Sequence, residues 1–297
     1  MIHKYLSQSG MILLLILSLA ACKSASNETD NTTHTTPPLE QELTTVPYEF
    51  IRNVAYVADG TSSQMLDIYL PESEGEAGLC LFVVENNLMS ALARYFARQG
   101  QHVIVVRTRR TNFHQSIQDA FCALAWVHAN AQNYNINSGQ LVVVGVGRRG
   151  GEAALLGVID DPGAYLVGYP NTLPQSDHLK AAVIFSGLFD YSQDRDLYAG
   201  LSAYMGGSPD QVPETWLEAS AITWIDGSEP PFLLLHALSD SYVNPHQSEI
   251  FEAALKQAGV EVELVLFSDQ DHVGLQSSQQ VFSIIDTFLD TFVRKPH

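Results

Sequence analysis

Three apolar runs of the sequence are each followed by a segment that matters for acyl-transfer chemistry. A glycine-rich turn over residues 145–151 follows the first run, Asp240 follows the second and His272 follows the third. An Asp that orients a His, which in turn deprotonates a nucleophile, is a recurring arrangement for acyl transfer. Asp269 and Asp271 lie just before His272, so the sequence leaves open which carboxylate is its partner.

The glycine-rich turn reads Gly-Val-Gly-Arg-Arg-Gly-Gly and contains no hydroxyl, thiol or carboxylate. Nucleophilic acyl transfer requires a side chain that the base can deprotonate, and glycine supplies none. A turn of this kind holds one residue in a strained conformation, which glycine adopts at little cost. The sequence therefore predicts that the turn persists while the nucleophile is absent.

Basic residues concentrate at the ends of two apolar runs that we expect to be neighbouring strands: Arg107, Arg109, Arg110, Arg148 and Arg149. Guanidinium groups near the start of a helix favour an anion, and their planar fork suits a carboxylate or a phosphate. We therefore predict an anionic-ligand site built from these arginines, with Arg107, Arg148 and Arg149 as its principal residues and Arg110 beside them. The alternative is an internal network that neutralises the arginines with Glu85, Glu152 and Asp240. We expect Arg109 to pair with Asp119 or a nearby carboxylate.

Short apolar runs predict strands, and helix-like patterns fall between most of them. The predicted strands are 53–57 and 64–70, as an antiparallel pair, then 79–84, 103–106, 141–144, 182–185, 232–235 and 262–267. The predicted helices are 88–99, 116–131, 150–159, 245–258 and 273–293. This alternation predicts a doubly wound α/β domain with its site at the carboxyl ends of the strands.

Other segments carry a family resemblance together with the turn, the acid and the base. They are Leu-Asp-Ile-Tyr-Leu-Pro at 66–71, the helix pattern over 116–127 and the stretch over 204–233. With them, residues 48–293 resemble the esterase branch of the α/β-hydrolases, which includes carboxylesterases, hormone-sensitive-lipase-like enzymes and bacterial feruloyl-esterase-like proteins. The resemblance implies a mostly parallel, eight-stranded twisted sheet with helices on both faces and a small cap insertion (residues 160–180 and 190–230). It also implies that Asp240 and His272 are the acid and the base.

The sequence departs from that branch at two elements of its chemistry. The branch carries Gly-x-Ser-x-Gly at the turn, and here Gly147 takes the serine position and Arg149 the second glycine position. The branch also carries His-Gly-Gly after its third strand, where this chain reads Glu85-Asn86-Asn87. Asn86 and Asn87 tolerate left-handed backbone and are expected to keep part of the loop's shape. Glu85 would place negative charge where an oxyanion must form.

These departures predict a pseudo-hydrolase with a binding or scaffolding role, whose partner is an anionic small molecule or an envelope protein. The alternative is a weak ester hydrolase in which His272 and Asp240 activate water directly. The sequence predicts no cofactor and no metal, because no His/Cys cluster has metal-ligand spacing. Acidic residues outnumber basic ones 33 to 15, for a formal net charge of −18, which argues against a nucleic-acid partner.

The N-terminus predicts an export signal and a tether. An apolar run from Met11 leads to Leu19-Ala20-Ala21-Cys22, which resembles the cleavage site of a bacterial lipoprotein. We therefore expect a signal peptide over 1–21, a flexible tether over 22–46 and an α/β-hydrolase domain over 47–297. The exported protein would be anchored through lipid on Cys22, at the outer membrane or the periplasmic face, and would touch the membrane only there.

Overall fold

Eight strands form one sheet in the order β1-β2-β4-β3-β5-β6-β7-β8. The strands are β1 (Tyr48–Ala55), β2 (Met65–Pro71), β3 (Cys80–Val84), β4 (His102–Val106), β5 (Leu141–Val146), β6 (Ala181–Phe185), β7 (Phe232–Ala237) and β8 (Val262–Phe267). β2 runs antiparallel to β1 and β4, and every other neighbouring pair is parallel. Every residue of β3 to β7 is buried, because helices cover both faces of a parallel sheet.

The computed structural model describes residues 45–72, 79–84, 89–173, 179–192 and 195–294. The predicted signal peptide, Cys22 and nearly all of the predicted tether lie outside the described residues. Glu85, Asn86 and Asn87 lie outside them as well. No helix in the described part of the chain is both long enough and apolar enough to cross a bilayer.

Seven helices connect and cover the strands in the described ranges. They are α1 (Ser90–Arg98), α2 (Phe113–Asn130), α3 (Gly147–Val158), α4 (Arg195–Met205), α5 (Pro213–Ala219), α6 (His246–Ala258) and α7 (Gln279–Phe292). α1 and α7 pack on one face of the sheet, where Phe96 and Phe282 meet with ring centroids 6.2 Å apart. α2, α3 and α6 pack on the other face. The predicted fold class, an α/β-hydrolase sheet with helices on both faces, is confirmed.

The largest differences from the predicted elements occur in three places. α4 and α5 were not predicted, because glycine and proline punctuate this part of the cap insertion. The last helix begins at Gln279 rather than Val273, since a short 3-10 turn over Gly274–Ser277 precedes it. The first strand spans Tyr48–Ala55 instead of 53–57, and its pairing shifts between Ile51 and Val54.

Both cysteines of the described core are buried free thiols. Cys80 lies in β3 and Cys122 in α2, and neither forms a disulfide. Burial raises the pKa of the Cys80 thiol above its usual value and that of the Cys122 thiol to about 12. The cysteines therefore act as small apolar side chains of the core.

Close packing around α3 requires glycine at two positions of the glycine-rich turn. A Cβ at Gly145 would lie 2.5 Å from the carbonyl oxygen of Arg149. A Cβ at Gly151 would overlap the carbonyl oxygen of Leu188. These contacts bring α3 against β5 and against the chain that follows β6.

Replacing Gly151 by alanine is expected to destabilise the protein by about 2–3 kcal/mol, because the overlapping atoms are backbone and cannot rotate away. Gly200, an exposed residue inside α4, is the matched control: nothing lies within 4 Å of its Cβ position. There the same substitution should stabilise by about 0.5–1 kcal/mol, through the helix propensity of alanine. Urea unfolding gives the change in the free energy of unfolding for each variant. Equal changes in Gly151→Ala and Gly200→Ala would show that close packing does not require glycine at residue 151.

Candidate functional site

Gly147 occupies the sharp turn between β5 and α3. It is the first residue of α3 and has φ +57°, in the left-handed region where residues with a Cβ are strained. A Cβ built at this position would lie 3.4 Å from Cε1 and 3.5 Å from Nε2 of His272. Residue 147 is therefore the position at which a side chain would meet the imidazole.

Asp240 is the partner of His272. His272 Nδ1 lies 2.6 Å from Asp240 Oδ2, while Asp240 Oδ1 accepts hydrogen bonds from the backbone N–H groups of Tyr242 and Val243 at 2.8 and 2.9 Å. Burial opposes ionisation of Asp240, but these hydrogen bonds outweigh it and hold the pKa of the carboxyl below its usual value. An ionised carboxylate only accepts, so His272 donates from Nδ1 and turns Nε2 toward Gly147.

Neither of the two other candidate acids, Asp269 and Asp271, is hydrogen-bonded to His272. Asp271 Oδ1 accepts from the backbone N–H groups of Val273 and Gly274, at 3.2 and 2.7 Å, and so shapes the turn after β8. Asp269 lies in the same turn and makes no contact with the imidazole. The alternatives that the sequence left open are thus reduced to Asp240.

A second histidine, which the sequence reasoning did not single out, supports Asp240 from behind. His236 is fully buried, and its Nε2 donates to the carbonyl oxygen of Val243 at 3.0 Å and lies 3.6 Å from Asp240 Oδ2. Its Nδ1 accepts from the hydroxyl of Ser248 at 2.7 Å. Burial lowers the pKa of His236, so the ring is neutral and fixes the loop that carries the acid. Its place at the end of β7 was the available signal.

Glu152 pairs with both arginines of the turn. Arg149 is buried and contacts both Glu152 Oε2 and the Ser116 hydroxyl. Arg148 lies 3.3 Å from Glu152 Oε1 and stacks over the Tyr204 ring at 4.0 Å, while the Tyr204 hydroxyl donates to the same carboxylate at 2.7 Å. Burial alone would raise the pKa of Glu152, but the two guanidinium groups hold it below its usual value.

The internal network expected as an alternative therefore exists around Glu152. Asp240 is not part of it, because its carboxylate is hydrogen-bonded to His272. Glu85 lies outside the described residues. Tyr204 belongs to α4, so the network also ties the cap insertion to the start of α3.

The three arginines that follow β4 differ in their hydrogen-bond and ion-pair partners. Arg107 lies 3.1 Å from Asp67 and donates to Asn53 Oδ1 at 2.8 Å. Arg109 is ion-paired with Asp119 at 2.7 Å, as expected. Arg110 is exposed and forms no hydrogen bond or ion pair with any described residue.

A pocket of about 310 Å³ opens above Gly147 and His272. Arg110, Arg148 and Arg149 line it, whereas Arg107 does not. No serine, threonine, cysteine or carboxylate is among the described residues of the lining. The structure thus brings His272, Arg148 and Arg149 together at one pocket, with Asp240 behind the imidazole. It also places Arg110 at this pocket.

A mostly parallel eight-stranded sheet with a glycine turn after β5, an acid after β7 and a histidine after β8 defines an α/β-hydrolase. Within that class, the model of the BD-FAE family matches residues 66–255. The chain belongs to this family.

Curated relatives are esterases of Mycobacterium tuberculosis. The chain is similar to the probable carboxylic ester hydrolase LipM, with 27% identity over 56% of this chain, and to esterase LipQ, with 26% identity over 52% of it. The matched region spans only 40% and 37% of those two proteins.

Solved structures share the fold over most of the described chain. A truncated carbohydrate esterase from gut microbiota superposes with a TM-score of 0.74 at 22% identity, covering 86% of this chain and 99% of that one. The propionate-bound esterase Est2 of Thermogutta terrifontis gives 0.64 at 20% identity, covering 86% and 98%. At these identities the likeness establishes the fold.

Replacing Glu152 by glutamine is expected to cost about 3 kcal/mol of stability, because it leaves the buried Arg149 guanidinium without its counter-charge. The matched control is Glu249→Gln, which removes an exposed carboxylate paired with His246 at 3.2 Å. Exposed pairs contribute little, so the control should change the free energy of unfolding by less than about 0.5 kcal/mol. Urea unfolding at neutral pH compares the two, and equal losses would contradict a stabilising role for the network.

The difference in the free energy of unfolding between wild type and Glu152→Gln should become smaller as the pH is lowered. The folded-state pKa of Glu152 is lowered, so its contribution is complete above the unfolded pKa of about 4.3 and disappears as pH falls through the folded pKa. Repeating the urea series at decreasing pH should show the gap narrowing below about pH 4. A gap that widens on acidification would contradict this sign.

Proposed function

We propose that this chain is a non-catalytic member of its esterase family that binds a ligand in the former active site. One observation carries the proposal: the position that faces Nε2 of His272 is Gly147. The covalent route of this fold needs a hydroxyl or thiol at that position, and every later step depends on the acyl-enzyme that it forms.

The surroundings of Gly147 support the same conclusion. Arg149 stands at the position of the second glycine of the family's Gly-x-Ser-x-Gly motif. Its guanidinium forms an ion pair with Glu152 and is therefore engaged within the protein. Arg148 is also engaged, between Glu152 and the Tyr204 ring. The start of α3 has therefore become part of an internal structural network. Sequence adds a further departure, since Glu85-Asn86-Asn87 replaces the His-Gly-Gly of the oxyanion loop.

The setting that we propose is the bacterial cell envelope. The segment Leu19-Ala20-Ala21-Cys22 supports export with lipid on Cys22, and the polar stretch after it supports a tether. A tethered binding domain with an anionic small molecule or an envelope protein as partner fits this arrangement.

One observation favours a second candidate function. The Asp240–His272 pair is intact, with Nε2 turned toward the pocket, so it has the geometry of a general base that could activate water without a covalent intermediate. This alternative predicts slow hydrolysis that His272→Ala abolishes. The proposed function predicts that wild type and His272→Ala hydrolyse a short aryl ester at the same background rate.

Restoring the hydroxyl tests the proposal directly. Gly147→Ser is expected to raise hydrolysis of 4-nitrophenyl butyrate by roughly 10²-fold over wild type, because the new oxygen would lie against Nε2 of His272. The gain stays well below that of a complete esterase, since each missing oxyanion donor costs about 10²–10³ in rate. Initial rates monitored as nitrophenolate release provide the measurement.

Two matched variants isolate the hydroxyl. Gly147→Ala introduces the same Cβ and backbone strain without an oxygen, and Gly147→Ser combined with His272→Ala removes the base. Both should remain at the wild-type background. Wild-type turnover as fast as that of Gly147→Ser would refute the non-catalytic assignment.

A further inference from the structure

The pocket above Gly147 is positively charged in a strongly acidic protein. Three arginines line it, and the described lining contains no carboxylate. The side chains of Glu152 and Asp240, which contact the lining residues Arg148, Arg149 and His272, are buried and already hold hydrogen bonds. Within a chain of formal net charge −18, this local excess of positive charge is a specific feature of the site.

Arg110 is the arginine whose charge remains available. Its neighbour Arg109 is held by Asp119 and the nearby Arg107 by Asp67, whereas Arg110 makes no contact of this kind with the described residues. Its guanidinium is exposed at the pocket. A planar fork of N–H donors matches the two oxygens of a carboxylate. The guanidinium is permanently charged and only donates hydrogen bonds, so it is a strong partner for an anion.

The remaining lining is apolar. Val146, Leu188, Leu201 and Val243 contribute aliphatic surface, and the exposed ring of Tyr242 lies 5.1 Å from the His272 ring. A volume of about 310 Å³ is at the lower end of small-molecule sites. The ligand that fits this lining combines one charged head with a small apolar body.

We propose that the pocket binds a monocarboxylate with a short aliphatic or aryl body, and that Arg110 recognises the carboxylate. The inference deepens the proposed function and rests on it, because a nucleophile at residue 147 would make the same pocket a catalytic one. A single negative charge is favoured over several, since the net charge of the whole chain repels polyanions. The proposed ligand is thus a carboxylate, the kind of molecule that ester hydrolysis releases.

A matched pair of probes tests the charge requirement. Isothermal titration calorimetry of the full chain with hexanoate and with hexanamide compares two molecules of the same shape, of which only the first is anionic. Hexanoate is expected to bind about tenfold more tightly, the ratio that one charge-assisted pair provides. Arg110→Gln should abolish this preference, and Arg110→Lys should retain part of it, since it keeps the charge but loses the fork.

Arg98→Gln is the control, because Arg98 is exposed on α1 and does not line the pocket. It should retain the full preference for hexanoate. Equal affinity for the two probes, no binding of either, or an unchanged preference in Arg110→Gln would each overturn the inference. These outcomes are separate from those of the proposed function, which fails on wild-type ester turnover whether or not hexanoate binds.

Discussion

The backbone turn at Gly147 constrains everything else at this site. β5 ends at Val146 and α3 begins at the next residue, Gly147, which makes this tight connection with φ +57°. The same geometry aims that residue at Nε2 of His272. In an active esterase the strain is tolerated because the side chain reacts. With glycine the strain is relieved, and the turn retains its shape without its chemistry.

The side chains next to Gly147 form a structural network. Arg148 and Arg149 join Glu152, Ser116 and Tyr204 in one group of side chains, exposed in part only at Arg148, that links α2, α3 and α4. Charged groups at this depth are stable only when they are fully paired. The turn thus ties the cap insertion to the start of α3 through Tyr204. Arg110, outside this group, keeps its charge for the pocket.

Sequence patterns predicted the sheet well because β3 to β7 are continuous apolar runs buried on both faces. They missed α4, whose interior contains Gly200 and whose end meets Gly206, although Pro213 at the start of α5 was a usable signal. The Arg149–Glu152 pair follows from helical spacing, three residues apart. Its contacts with Ser116 and Tyr204 span 36 and 52 residues, and only the folded chain brings them together. Which arginine after β4 stays unpaired likewise depends on the path of the chain.

The most direct test of the missing nucleophile is the mass of the intact wild-type protein after exposure to a fluorophosphonate, which forms a stable bond with an activated serine in this fold. The structure places no serine, threonine or cysteine of the described residues in the pocket lining, so the account predicts an unchanged mass at saturating reagent. A stoichiometric adduct that depends on His272 would show that a nucleophile reaches the base after all, and would contradict the account.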